Sequence, residues 1–295
     1  MVVHGHAQAP ASSHRRRRAT RVAPPLLLKC VHHHHPHSST TLRRSPTPRA
    51  LSSASPGLDS DLCRRSDAFL ASFVNHEAAG VPRGAGADGA DGFPLERMHA
   101  LLDALDSPHT RFPVLHVGGS KGKGSTSAFL AAVLRACGLR VGVYSSPHAE
   151  HVRERVSTSP DGSCLTAAQY ARLVARHQGA VAEVHARTGG GCTHFEVTTA
   201  LALAHFAHGD DAPRGSGAAV DVAVVEVGLG GVRDATNVFS PANVEAAVVT
   251  TLDLEHLAAL GGDSIHHVAA AKAGIYRCVR DGGFPVSMRP DELTM

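Results

Sequence analysis

Apolar positions along this chain alternate between two periods, and the alternation predicts the elements. Residues 59–80 read as a first helix, and a Gly/Ala/Asp loop follows from Gly80 to Gly92. Leu95, Met98, Leu101, Leu102 and Leu105 recur at helical spacing. Pro108 and Pro113 end that pattern before a short apolar run, Pro113 to Val117. A glycine-rich run comes next, then an amphipathic stretch from Ala128 to Cys137, expected to bury Phe129, Leu130, Val133, Leu134 and Cys137. Gly138 suits the left-handed position that closes such a helix. Arg140 to Ser145 reads as a strand, Thr166 to Arg187 as a helix with Thr166 as its N-cap, and Phe195 to Ala207 as a helix closed by Gly209. Val220 to Val227 is almost continuously apolar and valine-rich, the pattern of a strand buried on both faces. Glu245 to Thr251 repeats it, and Ile265 to Ala273 reads as helical.

Strands alternating with helices predict an α/β fold: a parallel sheet with helices on both faces. Ligands of such sheets sit beyond the carboxyl ends of the strands. The glycine-rich run, Ser145-Ser146, Glu226 and Thr250-Thr251 all fall at strand ends, so they are expected to gather on one edge.

Charge changes the picture at one end of the chain. The formal balance of +3 hides an asymmetry, since no Asp or Glu precedes Asp59 while Arg15 to Arg18, Arg21, Lys29, Arg43, Arg44 and Arg49 do. With the dense Ser, Thr and Pro there, residues 1–58 have the composition of an organelle transit peptide. A basic tail for nucleic acid is the other reading of such a charge run; nothing else in the chain points to nucleic acid, and none is expected as a partner. His32 to His35 read as a low-complexity repeat. No apolar run approaches the ~20 residues of a membrane span, so no membrane partner is expected. Six cysteines lack C-x-x-C spacing and read as reduced, structural thiols. Cys192 and His194 have no further ligands at zinc spacing.

The chemistry concentrates in His116 to Thr126, between the predicted strand and helix. Its glycines allow backbone N–H groups to approach an anion closely, and a helix start adds unpaired donors and the positive end of a dipole. Lys123 is placed to reach terminal phosphates, and Ser125 or Thr126 to contact a magnesium ion. Gly124 stands between lysine and hydroxyl, a departure from the usual G-x-x-x-x-G-K-[ST] spacing. Glu226 closes an otherwise apolar strand, where an acid is costly unless paired or bound to a cation; a phosphate loop needs such an acid for magnesium. Ser146 reads equally as a metal ligand or as part of an ordinary Ser-Pro turn, and His148 as a contact to an anionic substrate. His256 is a possible imidazole ligand among 22 histidines. Lys272 by itself reads as a solvated helix lysine.

These pieces together resemble the folylpolyglutamate synthase/dihydrofolate synthase family of Mur-type ATP-dependent ligases. The matching segments include Phe93 to Arg97, Gly119 to Thr126, Tyr144 to His148 and Thr193 to Ala200. Val225 to Gly231, Arg233 to Asn237 and Lys272 to Ile275 complete the series. The resemblance implies a Mur-ligase-like ATPase domain over 59–280, with ATP and Mg2+ as cofactors. It puts Gly122, Lys123, Gly124, Ser125 and Thr126 on the phosphates, and Ser146, Glu226 and His256 on magnesium. Lys123, His256 and Lys272, the last carbamylated, are the implied catalytic residues. Phe195, Glu196, Val232, Arg233 and Asp234 are expected to hold the pterin-bearing substrate, with His148 nearby. The implied reaction joins L-glutamate to dihydropteroate, or alternatively to a folate. Glu255 to Gly262 is similar to the plant dihydrofolate synthase form of the histidine motif, which with the leader implies a mitochondrial location, with plastid or cytosol as alternatives. The pattern fades after Ile275; 281–295 read as a divergent tail, and the family's C-terminal α/β domain is expected to be missing. A monomer is expected, and a non-catalytic nucleotide-binding fragment is the alternative to a working enzyme.

Overall fold

The computed structural model describes residues 56–209 and 218–287. The expected leader therefore lies outside the described residues, except that Pro56 already opens the first helix, ahead of the expected boundary at 59.

Seven helices are described: α1 (Pro56–Ala71), α2 (His76–Ala79), α3 (Leu95–Ala104), α4 (Lys123–Ala136), α5 (Ala167–Arg187), α6 (His194–His208) and α7 (Ile265–Ala273). The strands are β1 (Val114–Gly118), β2 (Val141–Tyr144), β3 (Val156–Ser157), β4 (Val222–Glu226), β5 (Val244–Val249) and β6 (Val279–Ser287). They form one sheet in the order β3-β2-β4-β1-β5-β6. β1 is central, parallel to β4 through Val117↔Glu226 and to β5 through Gly118↔Val249.

Local chemistry explains most boundaries. Thr166 and Thr193 each accept from the backbone of the third residue on, and Gln169 and Glu196 reach back to the cap N–H, giving two full capping boxes. The expected single helix over 59–80 is instead two. The chain leaves the helical path after Ala71, and Asn75 caps a new short helix by accepting from the Glu77 N–H at 3.0 Å. Helix α6 is apolar on every side, and it is buried on every side. It packs with α1, α3 and α5 into a layer over one face of the sheet. Gly142 of β2 faces that layer, since a β-carbon there would stand 2.8 Å from the Phe206 ring. Ala223 and Val225 join the same core, while Val222 and Val224 point to the other face.

One expectation fails against the tertiary structure. Helix α4, packed on β1, β2 and β4, does not bury its large apolar residues. Ser127 and Ala131 alone are buried; Leu130, Leu134 and Cys137 are half-buried, while Phe129 is 70% and Val133 47% exposed. Small side chains let the helix backbone come close to the strands, and the large ones rotate away. The expected parallel sheet is there, with the two-residue edge strand β3 alone running antiparallel, to β2. Residues 279–287, which take in the start of the segment read as a divergent tail, form strand β6, paired in parallel with β5. The β5–β6 register shifts between Val244 and Ala246.

Candidate active site

The phosphate-loop candidate leaves β1 at Gly118 and enters α4 at Lys123, with Gly122 as N-cap at φ 84°. The helix thus begins earlier than the sequence pattern implies, so Gly124, Ser125 and Thr126 form its first turn. The Thr126 N–H bonds to the Gly122 carbonyl at 2.9 Å. The N–H groups before it have no acceptor within the helix, as at any helix start.

The back of the loop is zipped to the chain after β5. The single hydroxyl hydrogen of Thr250 is shared between the Lys121 carbonyl at 2.7 Å and the Gly118 carbonyl at 3.2 Å, and Thr251 Oγ1 donates to Lys121 O at 3.1 Å. The Ser120 N–H bonds to Thr251 O at 2.8 Å. Lys272, almost wholly buried, donates its Nζ to Gly119 O at 3.0 Å and to Glu255 Oε1 at 3.1 Å. With these carbonyls engaged behind it, the loop presents the start of α4 forward. Lys121 adds an exposed ion pair with Asp253 at 2.5 Å.

Glu226, the last residue of β4, lies against this helix start. A β-carbon on Gly124 would stand 3.7 Å from its Oε2. Burial holds its carboxyl above the ordinary range, opposed by the charge of Lys123 and the Ser146 backbone N–H, while Asp234 adds to the rise. Ser146 and His256 both face the adjoining cavity, His256 from a left-handed backbone at φ 52°. Among the described residues no cluster of three or more His, Cys, Asp or Glu side chains stands at metal-binding spacing. Glu226 with the Ser146 hydroxyl is nevertheless the kind of sparse oxygen set that suits magnesium, which keeps waters and takes one or two carboxylates plus substrate phosphates.

The cavity beside the loop has a volume of about 710 Å³ and reaches from Lys123 to Phe93 and Leu257. Of the six residues expected to hold substrate, Phe195, Glu196, Arg233 and Asp234 line it. The Phe195 ring lies directly under Gly228, where a β-carbon would come within 2.4 Å of it. Glu196 has its carboxylate engaged elsewhere: it pairs with Arg97 at 3.0 Å and accepts the Thr193 N–H at 2.7 Å. It fixes the wall rather than offering a free acid. Arg233 pairs with Asp88 at 3.3 Å, which in turn pairs with Arg277 at 3.0 Å.

Two expected contacts are not in the lining. Val232 is buried behind the wall, its N–H bonded to Ala271 O at 3.0 Å with Gly274 packed against it. The His148 ring turns to Arg155, accepting at Nδ1 from Nε at 2.9 Å, while Arg155 forms a buried ion pair with Glu77. Lys272 likewise stands behind the loop, not in the cavity, and burial lowers its pKa against the raising effect of Glu255. Sequence reasoning missed the opposite wall, formed by His76, Glu77, Val81 and Gly86. The Gly84 and Gly86 N–H groups dock it on Ala258 O and Ala259 O, both at 2.8 Å. Its Gly/Ala/Asp composition reads as a plain loop, and no local signal marks it as a wall.

No family model matches the chain. It is 39% identical over 195 residues to a dihydrofolate synthase/folylpolyglutamate synthase of Mycobacterium tuberculosis, covering 64% of this chain and 37% of the relative. It is 32% identical to the dihydrofolate synthetase of Saccharomyces cerevisiae, covering 61% and 39%. Among solved structures it resembles Mycobacterium tuberculosis folylpolyglutamate synthase complexed with ADP (TM-score 0.58, 33% identity, 74% of this chain and 42% of that one). The apo form of the L. casei enzyme matches at TM-score 0.61 and 31% identity, over 76% of this chain and 48% of that one. The chain thus spans about two-fifths of the length of these curated relatives.

Proposed function

We propose that this chain, which is similar in sequence and fold to the folylpolyglutamate/dihydrofolate synthases, carries the nucleotide site and acid-substrate cavity of an ATP-dependent ligase. The reaction proposed is the joining of L-glutamate to 7,8-dihydropteroate. The observation that carries the reading is the position of Glu226, a buried carboxylate against the first turn of α4, beside Lys123 and the cavity.

The α4 start and Lys123 would bind and orient the β- and γ-phosphates. A carboxylate oxygen of the substrate, held in the cavity, attacks the γ-phosphorus as the bond to ADP breaks, giving an acyl phosphate. The amine of glutamate then attacks the acyl carbon, phosphate leaves, and the amine gives up a proton. Lys123 offsets the charge that spreads over the transferring phosphoryl oxygens. Glu226, the Ser146 hydroxyl and His256 would hold magnesium, which when bound neutralises phosphate charge. Phe195 and the apolar walls exclude water from the acyl phosphate. Lys272 is part of the same proposal: its lowered pKa favours the neutral amine that carbamylation requires.

Dihydropteroate is preferred to a folate because Glu255 to Gly262 is similar to the dihydrofolate synthase form of that segment. A mitochondrial location rests on the acid-free, arginine-rich composition of residues 1–58. Isothermal titration with Mg-ATP and with dihydropteroate tests the reading, and both are expected to bind the 295-residue chain. Failure of both to bind overturns it. ADP release that depends on both dihydropteroate and glutamate would separate a working enzyme from a nucleotide-binding fragment.

A further inference from the structure

Three buried side chains form one directed hydrogen-bond chain that ends on the cavity wall. His116 lies in the middle of β1, two residues before the strand gives way to the phosphate loop, and is 1% exposed. Its Nε2 is 2.8 Å from Thr236 Oγ1. Thr236 Oγ1 in turn donates to Asp234 Oδ1 at 2.5 Å. Asp234 also accepts the Thr236 N–H at 2.9 Å on Oδ1 and the Leu229 N–H at 2.8 Å on Oδ2. It is fully buried, yet its residue forms part of the cavity wall with Leu229 and Arg233.

The hydrogen count fixes the direction of this chain. A threonine hydroxyl has one hydrogen. The Asp234 oxygens already take two backbone N–H groups, whose donation opposes the rise in pKa that burial causes. The carboxylate is thus the acceptor, and the hydroxyl hydrogen points to Asp234. Thr236 Oγ1 must then accept from His116, which puts the imidazole hydrogen on Nε2. The other ring nitrogen, Nδ1, meets no polar partner. As a bare lone pair it is the less costly of the two groups to leave unpaired. The Phe239 ring packs edge-on at 5.8 Å and keeps the imidazole in place. Burial lowers the imidazole pKa to about 3, which agrees with a neutral ring holding a single hydrogen.

We propose that His116 is a positioning residue: through Thr236 it orients Asp234, and Asp234 holds the Gly228–Asp234 turn as the wall of the acid-substrate cavity. The strand that carries the phosphate loop is thereby tied to the segment that faces the substrate to be activated. The part of this proposal concerning substrate rests on the reading of the cavity given above; the hydrogen-bond chain itself does not.

The test uses the full chain and the variants H116L, T236V, H116Q and T236S. Glutamine keeps a donor near the Nε2 position, and serine keeps the hydroxyl. In H116L and T236V the backbone amides of Leu229 and Thr236 should exchange about tenfold faster or more. Dihydropteroate affinity should fall about tenfold while Mg-ATP affinity changes less than about twofold. H116Q and T236S should recover both readouts. Unchanged amide protection in H116L and T236V overturns the proposal, as does an equal loss of both ligands. If the wild-type chain binds no dihydropteroate, the functional reading falls, and the exchange measurement alone decides the relay. If H116L fails to fold, T236V measured against T236S gives the same decision.

Discussion

Gly119 offers the sharpest check on how the phosphate loop is held. Its φ is +135°, a conformation that side chains rarely adopt, and a β-carbon there would lie 1.9 Å from Thr250 Oγ1 and 2.9 Å from the Thr250 backbone nitrogen. Gly119→Ala therefore carries two costs. Backbone strain at such a position is worth ~1–3 kcal/mol. Overpacking against a fixed neighbour adds ~1–3 kcal/mol, because Thr250 cannot yield without releasing the carbonyls of Gly118 and Lys121. Gly122 is the natural control, with φ +84° but open space, free of other atoms to 4 Å, where its β-carbon would stand. Gly122→Ala should cost only the left-handed penalty of ~1–2 kcal/mol. Both replacements reduce unfolded-chain entropy alike, so the difference reports the clash with Thr250, ~1–3 kcal/mol, together with any extra strain of the +135° backbone. Urea unfolding of the two variants, with the midpoint and slope compared to wild type, measures it. Equal destabilisation of Gly119→Ala and Gly122→Ala would refute the claim that Thr250 braces the loop.

Three further outcomes follow from the charges. Burial raises the Glu226 pKa, so this group's contribution to stability is complete below its ordinary value of 4.5 and is lost as pH rises through the folded value. Glu226→Gln should therefore stabilise the nucleotide-free chain at pH 7, with the gain fading below pH 4.5, while weakening Mg-ATP about tenfold; thermal melts and titration read both effects, and a destabilised variant at pH 7 contradicts them. His116 has the opposite sign: its pKa is depressed from 6.5 to about 3, so its contribution is present above 6.5 and lost as pH falls. Between pH 7 and pH 5 that loss is about 2 kcal/mol, and His116→Gln should flatten this part of the urea-midpoint profile. Arg97→Ala leaves the buried carboxylate of Glu196 without its cation, which should cost ~3 kcal/mol in chemical unfolding; a loss below about 0.5 kcal/mol would mean that the pair behaves as a solvated surface contact.

Features that depend on residues within a few positions of each other were legible in the sequence. The N-cap at Thr166 bonds within four residues, and the left-handed glycine after α4 follows directly from its helix end. The valine-rich run of β4 needed only its strand period, and the strand–loop–helix context of Lys123 was complete between Pro113 and Cys137. The family resemblance singled out Ser146 and His256, which face the cavity, Glu226 against the start of α4, and four of the cavity's lining residues. Composition misled where distant packing decides. Phe129 and Val133 looked like core positions because they are large and apolar, yet Ser127 and Ala131 meet the sheet.

The chain's own order of residues thus determined the alternation of helices and strands, that a glycine-rich loop stands between a strand and a helix, and that an acid closes a buried strand. Only the tertiary structure decided which side chains are already engaged and which face the cavity. His148 is turned to Arg155, Val232 is docked behind the wall, and Lys272 is clamped on Gly119, from 153 residues away. His116 meets Thr236 across 120 residues. Caps and periods are set by backbone geometry over one or two turns, whereas these partnerships arise only when the central strand is flanked by β4 and β5 and buried groups must find a donor or acceptor.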